Sequence, residues 1–412
     1  ILFNCDYSEG AHADILRRLA ETNMEQTAGY GEDPYCDRAR ELIANLCGRT
    51  DLDIHFLIGG TQTNFTVIAA ALRPHQCVLC ADAGHINVHE SGAVEACGHK
   101  VSAIPSLDGK LTARQIEDAW HAHWDDETHE HMPQPRMVYI SQPTELGTIY
   151  SRRELQEISE VCRRRGLYLY MDGARLGYGL CDEGNDLDLP AIASLCDAFY
   201  IGGTKVGALF GEALVLRHDA LKEDFRYIAK QKGGRLAKGR LLGIQFLELF
   251  RDGLYFRLGA HADRLAVMLR DFCRARGLAL PVASGTNQQF VTMPDSVLDE
   301  LGKKYGFAYL RREDPSHSTV RFCTSWATQE EDVRELMADI GRFAEVFPLP
   351  GSAGVPAPGF IICGGQGEDR SPAHPWEAVL SFPEAEGRGW HGYVLDRAAT
   401  MAGGTRPPPG ME

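Results

Sequence analysis

The sequence has no surplus of positive charge: 42 Lys and Arg stand against 57 Asp and Glu, a formal net charge of −15. So acidic a chain is repelled by nucleic acid and by anionic membrane surfaces, and neither is expected as its main partner. It also lacks any apolar run of the roughly 18 residues that a membrane span needs. Twelve cysteines are scattered along it without a disulfide framework. The one Cys-x-x-Cys, Cys77 to Cys80, lies inside a strand-like run and has no second pair at zinc spacing, so no metal is expected. The chain opens Ile1-Leu2-Phe3-Asn4-Cys5-Asp6 without a signal-peptide pattern, and the expectation is free thiols in the cytoplasm.

What is present is enough apolar material, 44% of 412 residues, for two domains with their own cores. From about 50 to 216, short β-prone runs alternate with helical periodicity. That pattern predicts an α/β fold with a mostly parallel sheet covered on both faces. Helices are expected at 11–21, 36–47, 65–72, 112–124 and 152–165. Two more, at about 240–252 and 256–276, lead into a smaller α/β segment with strands near Phe290 and Val320, closed by a helix at 330–346. The expected organisation is an arm at 1–35, a large domain at 36–250, a small C-terminal domain at 251–347 and a tail at 348–412. Ten of the twenty prolines and twelve of the 43 glycines fall in that tail, which is expected to be poorly ordered.

Two β-prone runs each stop at a charged side chain. One is Leu167-Tyr168-Leu169-Tyr170-Met171-Asp172-Gly173, and the other is Ala198-Phe199-Tyr200-Ile201-Gly202-Gly203-Thr204-Lys205. In an open α/β sheet the carboxyl ends of strands are where ligands bind. An amine and an acid there suit pyridoxal phosphate (PLP): Lys205 for the Schiff base, and Asp172 to keep the pyridine nitrogen protonated. Upstream, Ile58-Gly59-Gly60-Thr61-Gln62-Thr63 is a glycine turn entering a helix, the pattern that holds a single phosphate on free backbone N–H groups. His85 follows a strand and a glycine, where an imidazole can stack on a flat ring and move a proton. The planar fork of Arg321 suits a substrate carboxylate. The stretch 226–240 carries six Lys or Arg and no acid, with Gly233-Gly234 predicting a bend inside it. Four histidines between 121 and 131 have no ligand geometry and are expected mostly in an exposed loop.

Together these residues resemble the threonine aldolase / β-eliminating lyase family of fold-type I PLP enzymes. The matching elements run in family order: Tyr30-Gly31-Glu32-Asp33-Pro34, Gly60-Thr61-Gln62, His85, Asp172-Gly173-Ala174-Arg175, Lys205 and Arg321. The resemblance implies a PLP-dependent transferase-like fold and a catalytic set of Lys205, His85 and Asp172. It implies cofactor contacts from Gly60, Thr61, Arg175 and Thr204, and substrate contacts from Tyr30, His131, Arg175 and Arg321. It further implies a homodimer or homotetramer with shared active sites, in which Lys232 and Arg235 reach the neighbour's cofactor phosphate. The chain departs from the family pattern at three places. Thr204 precedes the lysine where Ser is usual, and Gln142-Pro143-Thr144-Glu145 replaces Glu-Asn-Thr-His. Cys5 stands where a carboxylate-binding Ser is common, which makes Ser8 the nearby candidate. The implied reaction is cleavage of a β-hydroxy-α-amino acid of the threonine or allo-threonine type to glycine and an aldehyde. β-Elimination or transamination of a small amino acid on the same fold stays open, as does a non-catalytic PLP-fold binding protein.

Overall fold

Seven strands form the main sheet of the computed structural model, which describes residues 1–346; the tail expected at 348–412 lies outside the described residues. They are β1 (Asp53–Leu57), β2 (Gln76–Ala81), β3 (Lys100–Ile104), β4 (Gln134–Ser141), β5 (Tyr168–Asp172), β6 (Ala198–Gly202) and β7 (Glu212–Leu216), in the order β1-β7-β6-β5-β4-β2-β3. The neighbours from β3 through β6 run parallel, and β7 is antiparallel to both β1 and β6. Successive side chains point to opposite faces of a strand, and each face has its own core. Val138, Ile140, Leu169, Met171, Phe199 and Ile201 pack on one side. Met137, Tyr139, Tyr170 and Tyr200, from the same strands, pack on the other. Burial on both faces is why these strands read as unbroken apolar runs.

The βαβ crossover from β4 to β5 shows how local sequence sets the site. Ser151 and Glu154 form a capping box at the start of helix Arg152–Arg165. Leu155, Ile158, Val161 and Cys162 turn inward, and Gly166 ends the helix at φ 66°. The chain then re-enters the sheet so that Ser141 and Asp172 stand side by side at the carboxyl ends of β4 and β5.

Two expectations are corrected here. The helix expected at 65–72 spans Gly60–Ala71. Two buried polar residues near its start are bonded: Thr63 Oγ1 donates to the Gly59 carbonyl, and Asn64 joins a side-chain network described below. The histidines at 121–131 are not mainly loop. His121 and His123 close helix Ala113–Trp124, with His123 buried, and His129–His131 form a 3₁₀ turn.

A second, antiparallel sheet contains β8 (Gln288–Pro294), β9 (Ala308–Asp314) and β10 (His317–Cys323) in the order β8-β10-β9. β9 leaves no apolar signature because its side chains are almost all exposed. The first residues of the chain are stitched to this sheet. The Cys323 N–H donates to the Phe3 carbonyl at 2.7 Å, and the Phe3 ring is buried in the core that Val291, Val320 and Leu336 share. Within the basic stretch, helix Phe225–Gln231 is followed by a turn with Gly233 at φ 75°, the bend that the glycine pair predicts.

Candidate active site

The carboxyl ends of β4, β5 and β6 and the first turn of helix Gly60–Ala71 surround a cavity of about 250 Å³. Gly60, Thr61, His85, Asp172, Thr204 and Lys205 all line it. An adjoining cavity of about 520 Å³ shares His85, Glu145, Arg175 and Lys205 and adds Arg321. The central residues read from the sequence therefore meet in one place, with Lys205 facing both spaces.

Asp172 is buried and accepts four hydrogen bonds. Tyr139 Oη (2.6 Å) and Asn64 Nδ2 (3.0 Å) donate to Oδ2. Tyr200 Oη (2.6 Å) and the Ala174 N–H (2.9 Å) donate to Oδ1. Burial works against the charge, but His85 and the tyrosine donors outweigh it and hold the carboxyl below its usual range. Asp172 is thus a fixed anion.

His85 Nδ1 lies 2.8 Å from Glu90 Oε1, which also accepts from Asn64 Nδ2 at 2.7 Å. Asn64 in turn accepts from Tyr170 Oη at 2.8 Å, so one network joins His85 to Asp172. Burial lowers the basicity of the imidazole, yet Glu90 and Asp172 together raise its pKa. The His85 backbone N–H donates to Glu145 Oε1 at 2.9 Å, and Ser141 Oγ donates to the same oxygen at 2.7 Å.

Lys205 follows β6 in a tight loop. Burial and the nearby Arg175 cation lower its pKa, which increases the neutral, nucleophilic amine. Thr204 Oγ1 and the Gly203 N–H donate to Glu212 at 2.8 and 3.1 Å, and burial pushes the Glu212 carboxyl up to about 8.

The two arginines differ. Arg175 is held by Asp6 through Nε and Nη2 at 2.7 and 3.2 Å. Arg321 donates only to neutral oxygens, Gln288 Oε1 at 3.0 Å and the Asn4 carbonyl at 2.9 Å, and its buried Nε has no partner. Among the described residues no carboxylate neutralises it.

These features fit PLP. Helix Gly60–Ala71 begins without a side-chain cap, and a Cβ at Gly59 would meet nothing within 4 Å. The helix N-terminus therefore opens on space, with unpaired N–H groups for a phosphate. A fixed anion and a neutral-prone amine lie farther along the same cavity.

Other candidates are placed elsewhere. Ser8 is exposed and hydrogen-bonds to Cys5 Sγ at 3.2 Å; Tyr7, next to it, is the residue that enters the cavity. His131 is exposed at the amino end of β4, the opposite end of that strand from Ser141, so it does not join the site of its own chain. Tyr30 lies with Arg226 and Arg235 around a separate small cleft, with its ring 4.4 Å from Lys230 Nζ and its carbonyl accepting from Arg235 at 3.1 Å. Lys232 contacts Cys97 Sγ at 3.4 Å. Neither Lys232 nor Arg235 lines the cavities of Lys205. Sequence reading missed Asp6, Asn64, Glu90 and Glu212 altogether. It marked Glu145 only as a departure from a motif.

The family profile described as Beta-eliminating lyase matches residues 6–296. A low specificity L-threonine aldolase of Pseudomonas sp. (strain NCIMB 10558) is 32% identical over 346 residues, covering 82% of this chain and 96% of that protein. Among solved structures, a threonine aldolase of Leishmania major matches with a TM-score of 0.81 at 45% identity, over 83% of this chain and 99% of that one. A mutant aspartate aminotransferase of Thermus thermophilus matches at 15% identity with a TM-score of 0.61, over 83% and 96% of the two chains, a likeness of fold alone.

Proposed function

The chain belongs to the β-eliminating lyase family, and we infer that it is a PLP-dependent lyase cleaving threonine-type β-hydroxy-α-amino acids to glycine and an aldehyde. One observation carries this reading. Lys205 faces both a cavity ending at an uncapped helix N-terminus and a cavity ending at the unneutralised guanidinium of Arg321. A phosphate-bearing cofactor fits one side of the amine and an amino-acid carboxylate the other.

When bound, PLP supplies an electron sink for the pair released from a bond at Cα. The chain does the rest. The N–H groups at Gly60 and Thr61, with the Thr61 hydroxyl, hold the phosphate. Asp172 keeps a proton on the pyridine nitrogen, and its four donors prevent it from turning away. Lys205 would hold the cofactor through its amine; Thr204, bonded to Glu212, fixes the loop that carries it. His85, oriented by Glu90, would cover the ring. Arg321 binds the substrate carboxylate in a two-pronged contact, with Arg175 beside it.

The same reading makes the enzyme at least a dimer. Lys232 and Arg235 stand away from the cavity of their own chain, and this supports a contact with the cofactor phosphate of a neighbour; Tyr30, beside Arg235, would approach the neighbour's substrate. The eleven cysteines among the described residues are all free. That supports a reducing compartment such as the cytoplasm. Among the described residues no helix is long and apolar enough to cross a membrane.

Product analysis with a panel of β-hydroxy amino acids tests the function. Glycine and an aldehyde in equal amounts are expected from threonine and allo-threonine. Ammonia and a keto acid without glycine would assign the fold to β-elimination instead.

A further inference from the structure

Three carboxyl side chains line the cavities around Lys205: Asp172, Glu212 and Glu145. Their oxygens are not equally available. Both oxygens of Asp172 are hydrogen-bonded, and so are both oxygens of Glu212. In Glu145 the two oxygens are divided. Oε1 is anchored by Ser141 Oγ at 2.7 Å and the His85 N–H at 2.9 Å. Oε2 accepts no hydrogen bond among the described residues, and it is not one of their sealed, unpartnered buried atoms. Glu145 lines both cavities, so it stands where the cofactor side meets the Arg321 side.

His85 also lines both cavities, but its Nδ1 is engaged by Glu90, and the reading above gives its ring to the cofactor face.

We propose that Glu145 is the catalytic base of the cleavage step, its Oε2 taking the proton of the substrate's β-hydroxyl as the Cα–Cβ bond breaks. The O–H bonding pair becomes the second bond of the aldehyde carbonyl. The Cα–Cβ pair would be taken up by the electron sink that PLP supplies when bound, and the proton rests on Oε2. Cα then takes a proton from solvent, and Oε2 returns its own to solvent. The net change is one hydrogen lost from the hydroxyl and one gained at Cα, which balances threonine against glycine and acetaldehyde. Burial, then the Asp172 charge, raise the Glu145 pKa, the direction that suits a base that must hold a proton briefly.

The assignment rests on the aldolase reading above, and its test separates the two. The holoenzyme variants Glu145→Gln and Glu145→Asp are compared with wild type in two assays. One is glycine release from threonine. The other is exchange of the Cα hydrogen of glycine in deuterated water, followed by NMR. Glycine has no β-hydroxyl, so its exchange needs the cofactor, Lys205 and Arg321 but no base for that proton. In Glu145→Gln the amide oxygen still accepts from Ser141 and His85. Its cleavage kcat is expected to fall by about 10²- to 10⁴-fold, the range of a lost general base, with glycine exchange changed only a few-fold. Glu145→Asp keeps a carboxylate and is expected to regain part of the cleavage. Near-normal cleavage by Glu145→Gln overturns the assignment. So does an equal loss of exchange and cleavage, which would make Glu145 a structural anchor. An Asp variant that cleaves no better than the Gln variant also overturns it. A wild type that exchanges glycine but releases none from threonine removes the aldolase reading itself, and the assignment with it.

Discussion

Arg175 and Asp6 lie 169 positions apart and meet in a buried ion pair, with Nε 2.7 Å from Oδ2 and Nη2 3.2 Å from Oδ1. Asn287 Nδ2 adds a third donor to Asp6 at 2.9 Å. Through these contacts the start of the chain, a strand end of the main sheet and the second sheet are fixed around one cavity. The pair also sorts the two arginines, leaving Arg321 as the one without a carboxylate partner among the described residues.

Removing one partner of such a pair leaves a buried charge uncompensated, at a cost of roughly 3–5 kcal/mol. Asp6→Ala is therefore expected to lower unfolding stability by about that much in a urea titration at neutral pH. The pH dependence follows from the Asp6 pKa. Burial opposes the charge, but Arg175 and Lys205 bring the value down from 3.8 to about 2. A depressed carboxyl pKa stabilises the fold above the unfolded value and loses that effect as pH falls through the folded one. The gap corresponds to roughly 2.5 kcal/mol, at about 1.4 kcal/mol per pH unit, of which about 2 kcal/mol is lost between pH 5 and pH 2. The advantage of wild type over Asp6→Ala should shrink by that amount between pH 5 and pH 2. A constant difference across that range would show that Asp6 is not the titrating partner.

Asp172→Asn keeps the size of the side chain but not its charge. Tyr200 and the Ala174 N–H, which share Oδ1, can still donate to an amide oxygen there, and Tyr139 can turn its hydroxyl to accept from the new NH2, so the fold and cofactor binding should survive. The amide cannot hold the pyridine proton, and kcat for threonine cleavage should fall on the order of a hundredfold or more, the scale of losing one aligned charge in a dry site. Steady-state kinetics at saturating PLP are the check. Near-normal turnover would mean that another acid has this role.

Lys232→Ala and Arg235→Ala test the shared site. A charge-assisted contact to phosphate contributes about 1.5–3 kcal/mol, which converts to roughly a tenfold to hundredfold loss of PLP affinity. Light scattering should find a dimer or larger assembly in wild type. A fully active monomer would remove the shared-site idea. An oligomer whose two variants both bind PLP normally would return Lys232 and Arg235 to the solvated surface.

The parts of the site that could be read from the sequence are those that punctuate a strand. Asp172 ends a buried apolar run and borders Gly173, Lys205 stands two residues beyond Gly202-Gly203 at the end of another, and Gly60-Thr61 opens the helix that follows a strand. Such signals are local. The supporting partners are not: Asn64 reaches Asp172 across 108 positions, and Glu90 meets His85 only because a short turn folds back. Glu145 was visible as a departure from a motif, but nothing in its neighbours told which oxygen would be left open. Ser8 is suggested by its closeness to Cys5, but the two bond to each other, and it is Tyr7 that lines the cavity. The 3₁₀ turn at His129–His131 precedes β4, so His131 falls at the strand's amino end, which the count of residues alone did not reveal. β9 escaped because exposed Arg311, Arg312 and Glu313 mask its strand character.

The most direct test of the account is to find which lysine carries the cofactor. Borohydride reduction of the PLP-loaded protein fixes the imine, and peptide mass mapping then locates the pyridoxyl group. The account predicts a single label on the peptide containing Lys205 and none on the Lys205→Ala protein. A label on another lysine such as Lys232, or an unchanged label in the variant, would contradict it.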